Sequence, residues 1–168
     1  MARGRKAYRV RTADCREPRP AENERFDNGS FRAVIPDPEA GTDVRRLVLC
    51  SGKVYFDIVG HSARTAATDV AIARLEQLYP FPVDALAELV ASLPHLEEIV
   101  WAQEEPQNMG AWRSIRHRLD DAARSSSSVG GVTYVGRSWR ASPSEGYPTA
   151  HQLEQDRIVR AALGVTAG

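Results

Sequence analysis

The chain has 168 residues, 42% of them hydrophobic and 26% charged, with 22 basic residues balanced by 22 acidic ones. That length suits one domain with a sizeable core, and a net charge of zero argues against a nucleic-acid or membrane-surface partner. No apolar run approaches the length of a membrane span, and the basic start lacks the apolar stretch of a secretory signal. Two cysteines, Cys15 and Cys50, do not make a disulfide framework, so the cytoplasm is the expected compartment.

Residues 1–25 hold eight Arg or Lys and four Asp or Glu with few large apolar residues, which predicts a disordered basic arm; residues 26–168 are expected to form a single domain. Phe26 to Phe31 reads as a turn before a short extended piece, Arg32 to Ile35, closed by Pro36 and Pro38. The first sheet strand is expected over Val44 to Cys50. Its continuous apolar core, Leu47-Val-Leu-Cys50, suits a strand buried on both faces. Ser51-Gly52-Lys53 turns the chain into a helix over Val54 to Ala63. A second strand, starting at Thr68 or Asp69 and running through Val70 to Leu75, precedes Tyr79-Pro-Phe-Pro82, where two prolines forbid regular structure. Apolar residues at helical spacing predict a helix from Val83 to Leu93, with Asp84 facing its positive end. The third strand is expected over Leu96 to Ala102, followed by a polar turn and a helix over Gly110 to Ala123. After the Ser/Gly-rich loop 125–131 come a strand at Val132 to Val135, a loop, and a last helix over His151 to Leu163. This alternation predicts an α/β fold: a mainly parallel sheet with helices on both faces.

Ser51, Gly52 and Lys53 lie between a strand end and a helix start, where backbone amides, a hydroxyl and a cation suit an anion. The glycine spacing of a phosphate loop is missing, and a helix cap beside a solvated lysine is the plainer reading. Arg74, at the next strand's end, is a candidate second cation for that site, or a partner for Glu104 or Glu105. Adjacent loop carboxylates usually point apart, so Glu104 and Glu105 are not expected to act as an acid–base dyad. The four histidines sit on separate elements with no metal-ligand spacing, and Cys50 is expected to be a buried, inert thiol. No Gly-Asp-Gly diphosphate-metal motif and no Ser-His-Asp arrangement is legible. No catalytic residue and no bound cofactor is therefore expected of this chain itself.

Three segments resemble a known family in the same order and at similar spacing: Val48 to Asp57, Asp69 to Pro82, and Trp101-Ala-Gln-Glu-Glu-Pro-Gln-Asn-Met-Gly-Ala-Trp112. They are similar to the carboxyl-terminal region of the first, decarboxylating component of the 2-oxoglutarate dehydrogenase complex, and the likeness runs from about Phe26 to Leu163. The resemblance implies a fold similar to the carboxyl-terminal domain of transketolase. It also implies a parent enzyme that uses thiamine diphosphate and magnesium, held by other domains, to decarboxylate 2-oxoglutarate and pass the succinyl group to a lipoyl arm. The partners it implies are those catalytic domains, on a companion chain or lost, and a homodimer. Gln103, Glu104, Glu105 and Asn108 become the expected interdomain contact. Acyl-coenzyme A regulation in related enzymes favours the anion reading of Ser51 to Lys53. The sequence departs from the family at Ser138-Trp-Arg140, where small residues and a proline are usual. The alternative function is a free-standing regulatory module that binds an acyl-coenzyme A or a nucleotide.

Overall fold

A computed structural model describes residues 31–165 of the chain. The expected basic arm over residues 1–25 lies outside the described residues, as does most of the turn that follows it. Among the described residues, five strands and four α-helices follow in the order β1 (Val34–Ile35), β2 (Arg46–Cys50), α1 (Val54–Val59), β3 (Val70–Leu75), α2 (Val83–Ala91), β4 (Glu98–Pro106), α3 (Trp112–Ala123), β5 (Val132–Arg137) and α4 (Pro148–Ala162), strands and helices alternating from β2 onward. The strands form one sheet in the order β1-β3-β2-β4-β5. Only β1 runs antiparallel, pairing Val34 with Leu75 at one edge; the other pairings are parallel. This is the α/β architecture that the alternation of elements requires, with an antiparallel strand added at the edge.

Alternation along the strands splits the core into two layers. Leu47 and Leu49 of β2, Ala71 and Ala73 of β3, and Ile99 and Trp101 of β4 face α2 and α3, where they meet Leu86, Val90, Ile115 and Leu119. Val48 and Cys50, Val70 and Ile72, and Val100 and Ala102 face α1 and α4, where they meet Val54, Ile58, Ile158 and Val159. Both faces being covered explains why the central strands read as unbroken apolar runs.

Three boundaries differ from expectation by three residues or more. The first helix stops at Val59, and a 3-10 turn over Ser62–Ala66 follows, because the His61 side chain accepts a hydrogen bond from Ala63 N and caps that turn instead. The last helix starts three residues early, with Pro148 in its first turn, where a proline loses no helical hydrogen bond. The third strand runs on past Ala102 to Pro106, with a register irregularity against β5 between those residues. What the sequence presents as a polar turn is therefore largely strand.

Candidate functional site

β2 is followed through α1 by β3 on one side, and β3 then crosses back through α2 to β4 on the other. The carboxyl ends of β2 and β4 thus mark the topological switch point, the usual ligand crevice of an open α/β sheet. Ser51, Gly52 and Lys53 leave β2 there. Gly52 adopts φ +72°, a conformation that costs glycine little and other residues more. Lys53 forms ion pairs with Asp57, one helical turn on, and with Glu104 of β4 at 3.5 Å. Partial burial of Lys53 works against its charge, but hydrogen bonds and charges from Asp57 and Glu104 outweigh it and hold the ammonium above its ordinary pKa. Gln155 of α4 donates to Asp57 at 2.8 Å, so this network stitches α1, β4 and α4 together across the switch point. Its cation is already balanced by two carboxylates, and α1 has only six residues; the local geometry favours a brace between elements over an anion cradle.

Arg74 does not reach Glu104 or Glu105. β2 lies between β3 and β4, which separates their ends by about 10 Å at the usual strand spacing. Arg74 instead lies over the Tyr55 ring at 4.5 Å and the Phe56 ring at 5.6 Å and pairs with Glu76 at 3.4 Å. Such stacking is suited to a planar guanidinium. The result is an aromatic–cationic surface at the end of β3.

Gln103 is buried, at 3% exposure, and its amide organises the segment that joins β4 to α3. Its Oε1 accepts from Trp101 Nε1 at 2.9 Å and from the backbone N–H of Trp112 at 3.1 Å. Its Nε2 donates to Met109 O at 2.9 Å and to the carbonyls of Glu105 and Pro106, each at 3.2 Å. Gly110 sits against this amide with φ +65°; a Cβ there would lie 2.9 Å from Gln103 Nε2. Gln103, expected among the interdomain contacts, therefore turns inward and shapes the loop. Glu105 is exposed. Asn108 exchanges two hydrogen bonds with the backbone of Arg140, at 2.9 and 3.1 Å, and so clamps the β5–α4 loop to the end of β4.

Sequence reasoning missed the other side of this loop. Tyr134 packs against Trp112, with ring centroids 5.3 Å apart, and its hydroxyl lies 3.0 Å from the carbonyls of both Glu105 and Arg137. Burial pushes the phenol up to about 12. Gly136 makes room for it: a Cβ at that position would come 2.6 Å from Tyr134 Cζ and 2.8 Å from Gln103 O. The β-rich run Val132 to Val135 signalled a strand, but nothing in it signals that its tyrosine bonds back to β4.

Burial raises the Cys50 thiol to about 12, which suits an inert core group. Among the described residues no group of three or more His, Cys, Asp or Glu is placed to hold a metal ion, and no helix is long and apolar enough to cross a membrane.

Fold and edge together define a mostly parallel α/β domain of the kind that closes transketolase-like enzymes, with a cross-braced carboxyl edge. The comparisons narrow this. The family described as 2-oxoglutarate dehydrogenase C-terminal matches residues 21–163, and the chain belongs to that family. Among curated relatives, the 2-oxoglutarate dehydrogenase E1 component of Bacillus subtilis (strain 168) is 52% identical over 148 residues, 85% of this chain and 15% of the relative. That of Cupriavidus necator is 42% identical over 142 residues, 83% of this chain and again 15% of the relative. That of Geobacillus kaustophilus is 41% identical over 147 residues, with 85% and 15% covered. The chain thus spans 15% of the length of these relatives, and matches their carboxyl-terminal part.

Proposed function

We propose that the chain acts as the carboxyl-terminal domain of a 2-oxoglutarate dehydrogenase E1 component, an assembly or regulatory part that packs on catalytic domains situated elsewhere, in the same protein or on a companion chain. Those domains would bind thiamine diphosphate and magnesium and decarboxylate 2-oxoglutarate for the tricarboxylic acid cycle in the cytoplasm. The chain would itself bind neither cofactor and perform no chemical step.

One observation carries this reading beyond the family match: the placement of five of the eight exposed large apolar residues among the described residues. Phe56 in α1 after β2, Leu78 and Tyr79 after β3, and Trp139 and Tyr147 after β5 all stand exposed, on segments that leave the carboxyl ends of strands. Apolar side chains gathered on one kind of edge mark an interaction surface. Glu105 and the Arg74 stack supply polar contacts on the same edge, and Gln103 and Asn108 hold the backbone that presents them. Ser51 to Lys53 takes part as a brace, its charge spent on Asp57 and Glu104. Capture of the chain by tagged catalytic domains of the source organism's E1 component tests the reading. Wild type is expected to be retained, and the double variant Phe56→Asp, Tyr79→Asp to be lost. Equal retention of both would move the contact to another face, and retention of neither would remove the proposal.

A further inference from the structure

Arg137, at the end of β5, is the one buried arginine among the described residues, at 4% exposure. Its Nη1 donates to Pro143 O at 2.9 Å, its Nε has no partner, and it belongs to no ion pair among the described residues. A buried cation is costly unless an anion balances it. The residues on either side, Gly136 and Ser138, wall a cavity of about 320 Å³ at the open edge of the sheet, and Arg140, Arg157, Glu154 and Gln107 complete most of its lining.

Among the described residues the guanidinium groups are only partly engaged. Arg157 uses Nε and Nη2 on Glu154, at 3.0 and 2.7 Å, and Nη2 also reaches Gly136 O at 2.8 Å; its Nη1 carries no bond. Arg140 gives Nη1 to Glu145, and its Nε and Nη2 carry none. The Glu154 carboxyl is held below its ordinary range, first by the hydrogen bond from Arg157 and then, against partial burial, by the charges of Arg157, Arg140 and Arg137. Arg157 and Arg140 line the cavity together with one carboxylate, Glu154, and Glu145 pairs with Arg140 beside it. Arg137, which does not line it, acts on Glu154 through its charge.

We propose that this cavity is an oxyanion site: it takes a carboxylate or phosphate group of a small molecule on the unused N–H groups of Arg157 and Arg140, with buried Arg137 adding charge behind them. The guanidinium fork matches either oxyanion in two-point contact, and a volume of this size suits a small ligand. The site lies at β5 and α4, away from Ser51 to Lys53. It stands whether or not the docking reading holds.

Titration calorimetry on the full chain tests it, with inorganic phosphate and succinate as separate probes. Saturable binding of at least one is expected. Arg157→Gln and Arg140→Gln should each weaken it by roughly tenfold or more, as loss of a charged hydrogen bond does. Arg124→Gln, which removes a surface ion pair with Asp121, should leave it unchanged. Binding should also weaken with added salt. Phosphate alone binding assigns the site to phosphate esters, succinate alone to carboxylates, and binding of both to either oxyanion. Arg157→Lys keeps the charge without the fork; an affinity between wild type and the glutamine variant supports two-point recognition, and covers the case of a misfolded glutamine variant. The proposal is overturned if folded wild type binds neither probe saturably, or if binding survives intact in both cavity variants.

Discussion

Replacing Gln103 with leucine removes the amide that shapes the β4–α3 loop while keeping nearly the same volume, so packing changes little. Two buried donors then lose their acceptor: the indole N–H of Trp101, a side chain only 1% exposed, and the backbone N–H of Trp112. An orphaned buried donor costs about 1–3 kcal/mol. The carbonyls of Glu105, Pro106 and Met109 also lose a donor, but Glu105 is exposed and Met109 partly so, so water replaces part of that loss. The two orphaned donors together give a destabilisation of about 2–6 kcal/mol. Urea unfolding followed by tryptophan fluorescence measures it, with an unchanged slope showing that the shift is in stability. Gln103→Glu is a second arm. It keeps both acceptors, loses the donors and sets a charge beside three carbonyls. Its folded-state pKa should therefore lie above the ordinary value, so its stability should fall as pH rises past the usual glutamate range and recover on acidification. A cost for Gln103→Leu under about 0.5 kcal/mol, within the range of ordinary surface substitutions, would refute the amide as the strut of this loop.

Trp112→Ala should cost about 3–5 kcal/mol, because the indole is 7% exposed and packs on Tyr134; urea unfolding again reports it. In a Cys15→Ser background, Cys50 should resist a thiol reagent in the native state and react on unfolding, since its thiol is buried and raised to about 12. Glu154, whose folded-state pKa is lowered, stabilises the fold above the ordinary glutamate pKa, and that contribution is lost as pH falls through the lowered value. Glu154→Gln should accordingly flatten the acid limb of a stability–pH profile. The purified chain should show no 2-oxoglutarate decarboxylation with thiamine diphosphate and magnesium, measured against a buffer control.

The fold was legible where one physical signal dominated. Strand β3 ends at Leu75 as expected and starts at Val70, within two residues of the expected start, because an apolar run between turn signals has few other solutions. β4 was cut short because Gln103, Glu104 and Glu105 look like solvated turn residues. Gln103 is tolerated inside only because its amide meets partners supplied by residues up to nine positions away, and no periodicity carries that. Pairing Arg74 with β4 failed for a topological reason: chain order does not reveal that β2 stands between them. The cavity beside Arg137 was invisible for the same kind of reason. Arg137, Arg140 and Glu154 are separated in sequence and meet only when α4 packs along the edge of β5. The departure at Ser138-Trp-Arg140 did mark that place, since Arg140 is both clamped by Asn108 and part of the lining.

Association with the catalytic domains is the central claim, and sedimentation velocity tests it most directly. The chain is mixed with the thiamine-dependent domains of the source organism's E1 component, prepared without their own carboxyl-terminal domain. The expected result is a single faster-moving species that contains both polypeptides in equal amounts. Two separate boundaries, unchanged from those of the isolated proteins at the highest attainable concentration, would contradict it.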